Sequence, residues 1–266
     1  MFGLSRQAIY QTQIRFSRRA QELLKVKELV QSIRMEMPRI GTRKLYYLIQ
    51  ADLDRLNVKM GRDALFDYLR KEHMLIRPKR SYTKTTDSKH WLKKHPNLTK
   101  DWKPTRAEAL FVSDITYIKT KKRVHYLSLV TDAYSRKIMG YQLADDLGTK
   151  HCIKALKMAI KNRKSQANLI HHSDRGLQYC SANYQKVLNE NQISTSMTDG
   201  YDCYQNALAE RINGILKQEF LIHKANNKKE LKKMIEQSVA IYNNKRPHLS
   251  LKMKTPNFIH QKKPKN

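Results

Sequence analysis

The sequence has no long apolar run, few cysteines and few acids, and each shortage closes off a class of protein. No apolar stretch is long enough to span a bilayer, and the opening MFGLSRQAIY lacks the hydrophobic region of a signal peptide. The three cysteines, Cys152, Cys180 and Cys203, are scattered and form no CxxC pair, which excludes a disulfide scaffold and a structural zinc site. The expectation is a soluble protein of a reducing cytoplasm. Acids number 23 against 53 Lys and Arg, a net charge of +30 over 266 residues. The excess is shared equally between residues 1–106 and 107–266. A surface this basic seeks a polyanion, and nucleic acid is the usual one. With 40% hydrophobic residues the chain can still bury a packed core.

The first 80 residues read as helical and DNA-facing. Phe2 to Tyr10 has the pattern of the turn and recognition helix of a helix-turn-helix, without the helix that should precede it. Gly3 suits the turn, Ser5 can cap the new helix, and Arg6 and Gln7 stand at its start as candidate DNA contacts. A basic amphipathic helix follows, with Leu23, Val26, Val30 and Ile33 on one face, ending near Pro38. Residues 39–80 predict a second such unit. Leu45, Leu48, Ile49 and Leu53 stripe one helix, Asn57 to Gly61 turn the chain, and Leu65, Tyr68 and Leu69 mark a second helix with Arg62 at its exposed start. Residues 81–107 are polar, Lys-rich and broken by Pro96 and Pro104, and read as a linker or a segment ordered on DNA.

After residue 108 the period changes. ALFVSDITYIK, RVHYLSLVTDAY and RKIMGYQLA are short apolar, β-branched or aromatic runs that predict an antiparallel meander. A helix at 149–164, a strand at NLIHHSD, a helix at SANYQKVLNENQ and a strand at ISTSM follow. A long helix is then expected from Asp202, with Gln205 completing a capping box. The order β-β-β-α-β-α-β-α is that of an RNase H-like α/β domain with a mixed sheet, here spanning 108–225. A last helix near 228–243 and a basic tail fill 226–266.

Three acids stand where such a domain can use them. Asp114 lies mid-strand, Asp174 ends the fourth strand, and Glu210 lies in the first turns of the long helix expected from Asp202, with 35 residues between the last two. Phosphoryl transfer without a covalent intermediate needs carboxylates of this kind, because two Mg²⁺ or Mn²⁺ ions about 3.5–4 Å apart activate the attacking oxygen and stabilise the leaving one. Such hard cations take oxygen ligands. Asp132, with Ser135 and Arg136 beside it, reads instead as a turn residue, and Asp145 and Asp146 likewise. Glu219 falls on the opposite face of the Glu210 helix. His171 and His172 read as packing and support for Asp174, not as ligands.

Four ordered motifs carry a resemblance. SDITYI, TDAYSR, HHSDRGLQY and YQNALAERINGILKQEF resemble the integrase core of the IS-three family of insertion-sequence transposases, whose Asp-Asp-(35)-Glu spacing is shared with retroviral integrases. YNNKRPHLSLKMKTP is similar to the family's closing motif. The chain departs from the pattern at Phe111, where Trp is frequent, and at Gln205, where Asp is frequent. The resemblance implies metal-dependent cleavage and joining of double-stranded DNA at an element's terminal inverted repeats and at its target. It implies a circular intermediate, and work as at least a dimer near the bacterial nucleoid. It also implies an upstream reading frame, joined by frameshifting, that supplies the rest of the first helix-turn-helix. Lys217, two turns after Glu210, and Arg246 in the closing motif are the further DNA contacts expected. An RNase H-like nuclease and a non-catalytic DNA-binding regulator are the competing readings.

Overall fold

The computed structural model describes residues 5–76, 91–100, 102–199 and 206–262. The chain divides into two compact units, Met1–Pro78 and Lys79–Asn266.

In the first unit, α1 (Arg6–Glu36) is one continuous helix of 31 residues. Ser5 caps it as expected, its hydroxyl accepting from the Ala8 N–H at 3.2 Å. The expected division into a recognition helix and a separate amphipathic helix does not occur, because no glycine or proline interrupts residues 6–36. The turn expected at Gly3 lies outside the described residues. Val26 and Val30 of α1 are buried together with Leu45, Ile49 and Leu53 of α2 (Thr42–Arg55) and Leu65 and Leu69 of α3 (Arg62–Lys71). Between α2 and α3 the chain turns through Asn57 at φ 53°, and the Val58 N–H bonds back to the Leu53 carbonyl at 2.9 Å. The two-helix unit read from residues 39–80 is therefore present. Its Arg62 is exposed and pairs with the adjacent Asp63, while Arg6 and Gln7 stand exposed at the start of α1.

In the second unit, five strands among the described residues form one sheet in the order β3-β2-β1-β4-β5. β1 (Leu110–Lys119), β2 (Val124–Asp132) and β3 (Ile138–Ala144) form the antiparallel meander, and β4 (Leu169–Ser173) and β5 (Ile193–Met197) add in parallel beyond β1. The sheet is mixed, as expected. Strand alternation splits β1 between two helical layers. Phe111 packs with α4 (Thr149–Lys161), α5 (Leu177–Cys180) and α6 (Ala182–Glu190), and Leu110 and Val112 pack with α7 (Ala207–Ile215). α4 lies so close on β3 that a Cβ at Gly140 would stand 2.1 Å from the Ala155 carbonyl oxygen. Glycine is required there for packing rather than for φ. α7 begins at Ala207 with Asn206 as its cap, and the earlier start expected at Asp202 lies outside the described residues. It runs into a π-helical turn at Leu216–Phe220.

Part of the segment read as a linker is built into the sheet edge. The Met197 N–H bonds to the Pro96 carbonyl at 3.2 Å, the Leu98 N–H to Ser196 Oγ at 2.9 Å, and Leu92 packs into the main core. Backbone groups of β5 that would otherwise be exposed at an edge find partners in this way.

The C-terminal elements close the other side. α8 (Lys228–Asn244) presents Asn243, whose amide bonds both the N–H and the carbonyl of Ile138, at 2.9 and 3.0 Å, at the head of β3. Arg246 does not reach outward as expected. It is 2% exposed and grips Glu219 through two bonds of 2.7 and 2.6 Å, with His248 Nε2 at 3.1 Å. A guanidinium held bidentately in the interior has little access to a phosphate, and its contacts bind the chain to itself. α9 (Pro256–Gln261) delivers His260 between two buried carboxylates, Glu108 at 3.1 Å and Asp132 at 3.4 Å. Glu108 also accepts the N–H groups of Lys164 and Ser165, and Asp132 those of Glu108 and Ser135. Burial alone would lower the His260 pKa, but its bonds to Asp132 and Glu108 hold it above the usual value. Asp132 is thus the turn residue that the sequence predicted, now with a buried partner.

Arg246→Ala should destabilise the chain by about 3–5 kcal/mol, because it leaves Glu219 sheltered and uncompensated. Removing both partners should cost less. Urea unfolding of the single and double variants checks this, and a stable Arg246→Ala protein with weakened DNA binding would restore the outward role.

Candidate active site

Asp114 faces the α7 side of the sheet, as Leu110 and Val112 do. It is half-buried, and its Oδ2 accepts from Asn213 Nδ2 at 2.7 Å. Asp174 follows β4 directly. Parallel pairing of β1 with β4, Val112 opposite His172, lays it beside Asp114. Its Oδ1 accepts the Gly176 N–H at 3.0 Å, which fixes the turn behind it. Glu210 lies in the first turn of α7, exposed to solvent.

The three carboxyls feel one another. Burial and the charge of Asp174, with a smaller push from Glu210, raise Asp114 to about 7 against the pull of the Asn213 amide and the Ile115 N–H. Glu210 is raised too, by partial burial and then by Asp174. Like charges gathered in one place have this effect. Among the described residues no three such side chains already stand at metal-holding distance from a common point. All the donors are carboxylate oxygens, which fit a hard divalent cation.

Asn213 stands one helical turn after Glu210, about 60° round the helix from it. In the structure it turns onto Asp114. The sequence reading passed it over, although its i,i+3 spacing from Glu210 was the signal available. Asn206, at the head of α7, bonds the Ser113 carbonyl at 3.0 Å and ties the helix to β1 at the residue before Asp114. Lys217 lies further along, its Nζ 3.3 Å from Thr116 Oγ1 and 4.0 Å from the centre of the Tyr117 ring. A Cβ at Gly214 would meet nothing within 4 Å, so the approach over that turn is open. Glu219 lies off the site in its pair with Arg246.

Behind the carboxylates the histidines do what the sequence suggested. His171 Nε2 stands 2.8 Å from Ser113 Oγ and 2.9 Å from Tyr184 OH, and burial lowers its pKa to about 3, so the ring is neutral. His172 Nδ1 lies 2.9 Å from Ser196 Oγ and 3.2 Å from Thr99 Oγ1. Both hold the strands that carry Asp114 and Asp174.

The mixed sheet carries acids on β1 and after β4, with a third on α7, and the sequence comparisons make the chain a polynucleotidyl transferase of the integrase kind. The sequence profile described as the integrase core domain matches residues 104–203, and a second of the same description matches 191–256. The chain belongs to the IS-three family of insertion-sequence transposases. It is 33% identical over 268 residues to the insertion element IS600 uncharacterized 31 kDa protein of Shigella sonnei, covering 98% of this chain and 97% of that one. It is 33% identical over 152 residues to the transposase InsF for insertion sequence IS3A of Escherichia coli, 57% of this chain and 53% of that protein. A chain of the simian T-cell lymphotropic virus intasome in complex with PP2A regulatory subunit B56 gamma shares the fold, with a TM-score of 0.53 and 18% identity over 84% of this chain and 75% of that one. No described helix is long and apolar enough to cross a membrane.

The raised Asp114 has a consequence for stability. The metal-free folded protein keeps a proton at Asp114 that the unfolded chain has lost between about pH 4 and 7, so this group's contribution falls as pH rises through that window. Asp114→Asn carries no such charge. Its melting temperature without metal should match the parent near pH 4.5 and exceed it by several degrees at pH 8. A difference that does not change with pH would contradict the assignment.

Proposed function

We propose that Asp114, Asp174 and Glu210 are the catalytic and metal-holding carboxylates of this transposase, and that they act on the terminal inverted repeats of its element and on target DNA. The observation that supports this is the mutual elevation of Asp114 and Glu210 around Asp174 in a chain of net charge +30. Carboxyls raised by burial and by one another's charge are relieved when a cation binds among them. Two Mg²⁺ or Mn²⁺ ions held there would supply Lewis-acid stabilisation of charge on the attacking and leaving oxygens. The ligand atoms would be the carboxylate oxygens of the three residues, drawn together on loading.

The chain's own groups then have separable tasks. Asp114 must lose its proton to serve as a ligand, so a divalent ion competes with that proton and should bind more tightly as pH rises through neutrality. Asn213 donates to Asp114 Oδ2 and fixes which oxygen faces the site, a positioning role. Lys217, steered by Thr116 and Tyr117, stands ready for a phosphate of the DNA end. In cleavage a water oxygen bonds to phosphorus, the bond to the 3′ oxygen breaks, and that oxygen leaves with a proton. In joining, the freed 3′ hydroxyl attacks a second phosphodiester in the same way, displacing its 3′ oxygen, which departs protonated.

Arg6, Gln7 and Arg62, exposed at two helix starts, are the proposed contacts for end recognition. Pairing two DNA ends calls for at least two copies of the chain, and the upstream-frame product would complete recognition ahead of α1.

Single Ala replacements of Asp114, Asp174 and Glu210 should each abolish Mg²⁺-dependent nicking and joining of labelled terminal DNA while leaving DNA binding within about twofold. Asn213→Ala should lower the joining rate about 10–100-fold and raise the Mg²⁺ requirement, a shift that a merely structural residue would not produce. Normal nicking by Asp174→Ala would refute the assignment.

A further inference from the structure

The segment from Trp91 to Lys103 contains both tryptophans of the chain. Neither is used to build the core: Trp91 is 91% exposed and Trp102 is 40% exposed. Large aromatic faces are seldom left in water without a purpose. The backbone that carries them is nonetheless fixed. Pro96 and Leu98 bond to β5, Thr99 Oγ1 lies 3.2 Å from His172 Nδ1, and Asn97 Nδ2 donates to Asp199 Oδ2 at 3.2 Å. His172 is two residues before Asp174, so the strap is anchored beside the candidate active site. Lys93, Lys94, Lys100 and Lys103 are exposed along the same stretch.

We propose that this strap is a stacking platform for unpaired DNA bases next to the active site, with Trp91 and Trp102 taking base faces and the four lysines taking phosphates. Aromatic faces interleaved with cations are what single-stranded nucleic acid requires, because every base offers a π-face whatever its sequence. A duplex keeps those faces stacked internally, so the platform selects strands that are opened. A protein partner fits poorly. Leu92 is turned into the core, Pro96 and Leu98 alone join the exposed indoles as apolar side chains of the strap's described residues, and lysines are depleted from protein interface centres. The anchored backbone gives the platform its order before DNA arrives, which spares part of the ordering cost on binding. Transposition supplies such a ligand, since a strand is separated from its partner where the ends are cut and joined. The inference rests on the chain's action on DNA, not on the metal assignment.

Both tryptophans lie in the strap, so intrinsic fluorescence of the full chain reads the proposal directly. The titration is run in EDTA with a mixed-sequence single strand, a blunt duplex of equal length, and that duplex with a single-stranded extension. The single strand and the extended duplex should quench tryptophan emission strongly, and the blunt duplex should not. Trp91→Ala and Trp102→Ala should each weaken single-strand affinity about tenfold, with partial recovery in Trp91→Phe. Equal quenching by the blunt duplex, or unchanged single-strand affinity in both Ala variants, would overturn the proposal. An emission shift that depends on protein concentration without DNA would assign the strap to self-association instead. An Asp174→Ala protein that nicks DNA normally would sink the carboxylate assignment and leave this one standing, because the titration contains no metal.

Discussion

Parallel pairing of β4 with β1 is the contact on which the catalytic unit depends. The meander β1-β2-β3 needs only local turns, but β4 reaches β1 after a crossover through α4, and only then does the residue beyond Ser173 come to rest beside Asp114. Each carboxylate sits on an element with a separate reason to be where it is. Asp114 is placed by strand alternation, Asp174 by the Gly176 turn, and Glu210 by the anchoring of Asn206 on Ser113. Electrostatics opposes the arrangement and the packed sheet imposes it. Neutral His171, shared between Ser113 and Tyr184, lets the support behind the site be polar without adding charge to it.

The strand and helix pattern of the catalytic unit was legible because each element obeys its own period. β1 is a short run of β-branched and aromatic residues, and the helix at 149–161 shows one apolar stripe. Asp114, Asp174 and Glu210 stood out by their spacing, and the pairing of β1 with β4 brings the first two side by side. What could not be read depended on tertiary contact. Asn213 reaches Asp114 across a gap that no helical wheel contains, and the merging of α1 into one helix reflects the absence of a breaker more than the presence of a cap. The strap at 91–99 reads as a linker in composition, since its order comes from partners distant in sequence: Met197, Ser196, His172 and Asp199.

The closing motif carries a similar lesson. Tyr242, Asn243, Arg246 and His248 look like exposed recognition chemistry when taken as letters: an aromatic, an amide, a guanidinium and an imidazole. In the fold they face one another and the core. Tyr242 OH bonds the Arg136 carbonyl, its ring meets His248 edge-on at 5.1 Å, and Arg246 holds the π-helical turn that follows α7 through Glu219. A basic residue in a basic protein is thus better judged by its partners than by its charge. The same holds for Lys217, whose amine meets Thr116 and the Tyr117 ring.

The cluster of Glu108, Asp132 and His260 sets an order of events during synthesis. Glu108 and Asp132 flank the meander, where strands can pair as soon as they leave the ribosome, but the imidazole that lies between them arrives more than 120 residues after Asp132. Until then the two carboxylates lack the imidazole that lies between them, and a polypeptide ending before α9 never acquires it. The last helix thus completes a cluster whose first members belong to the opening strands.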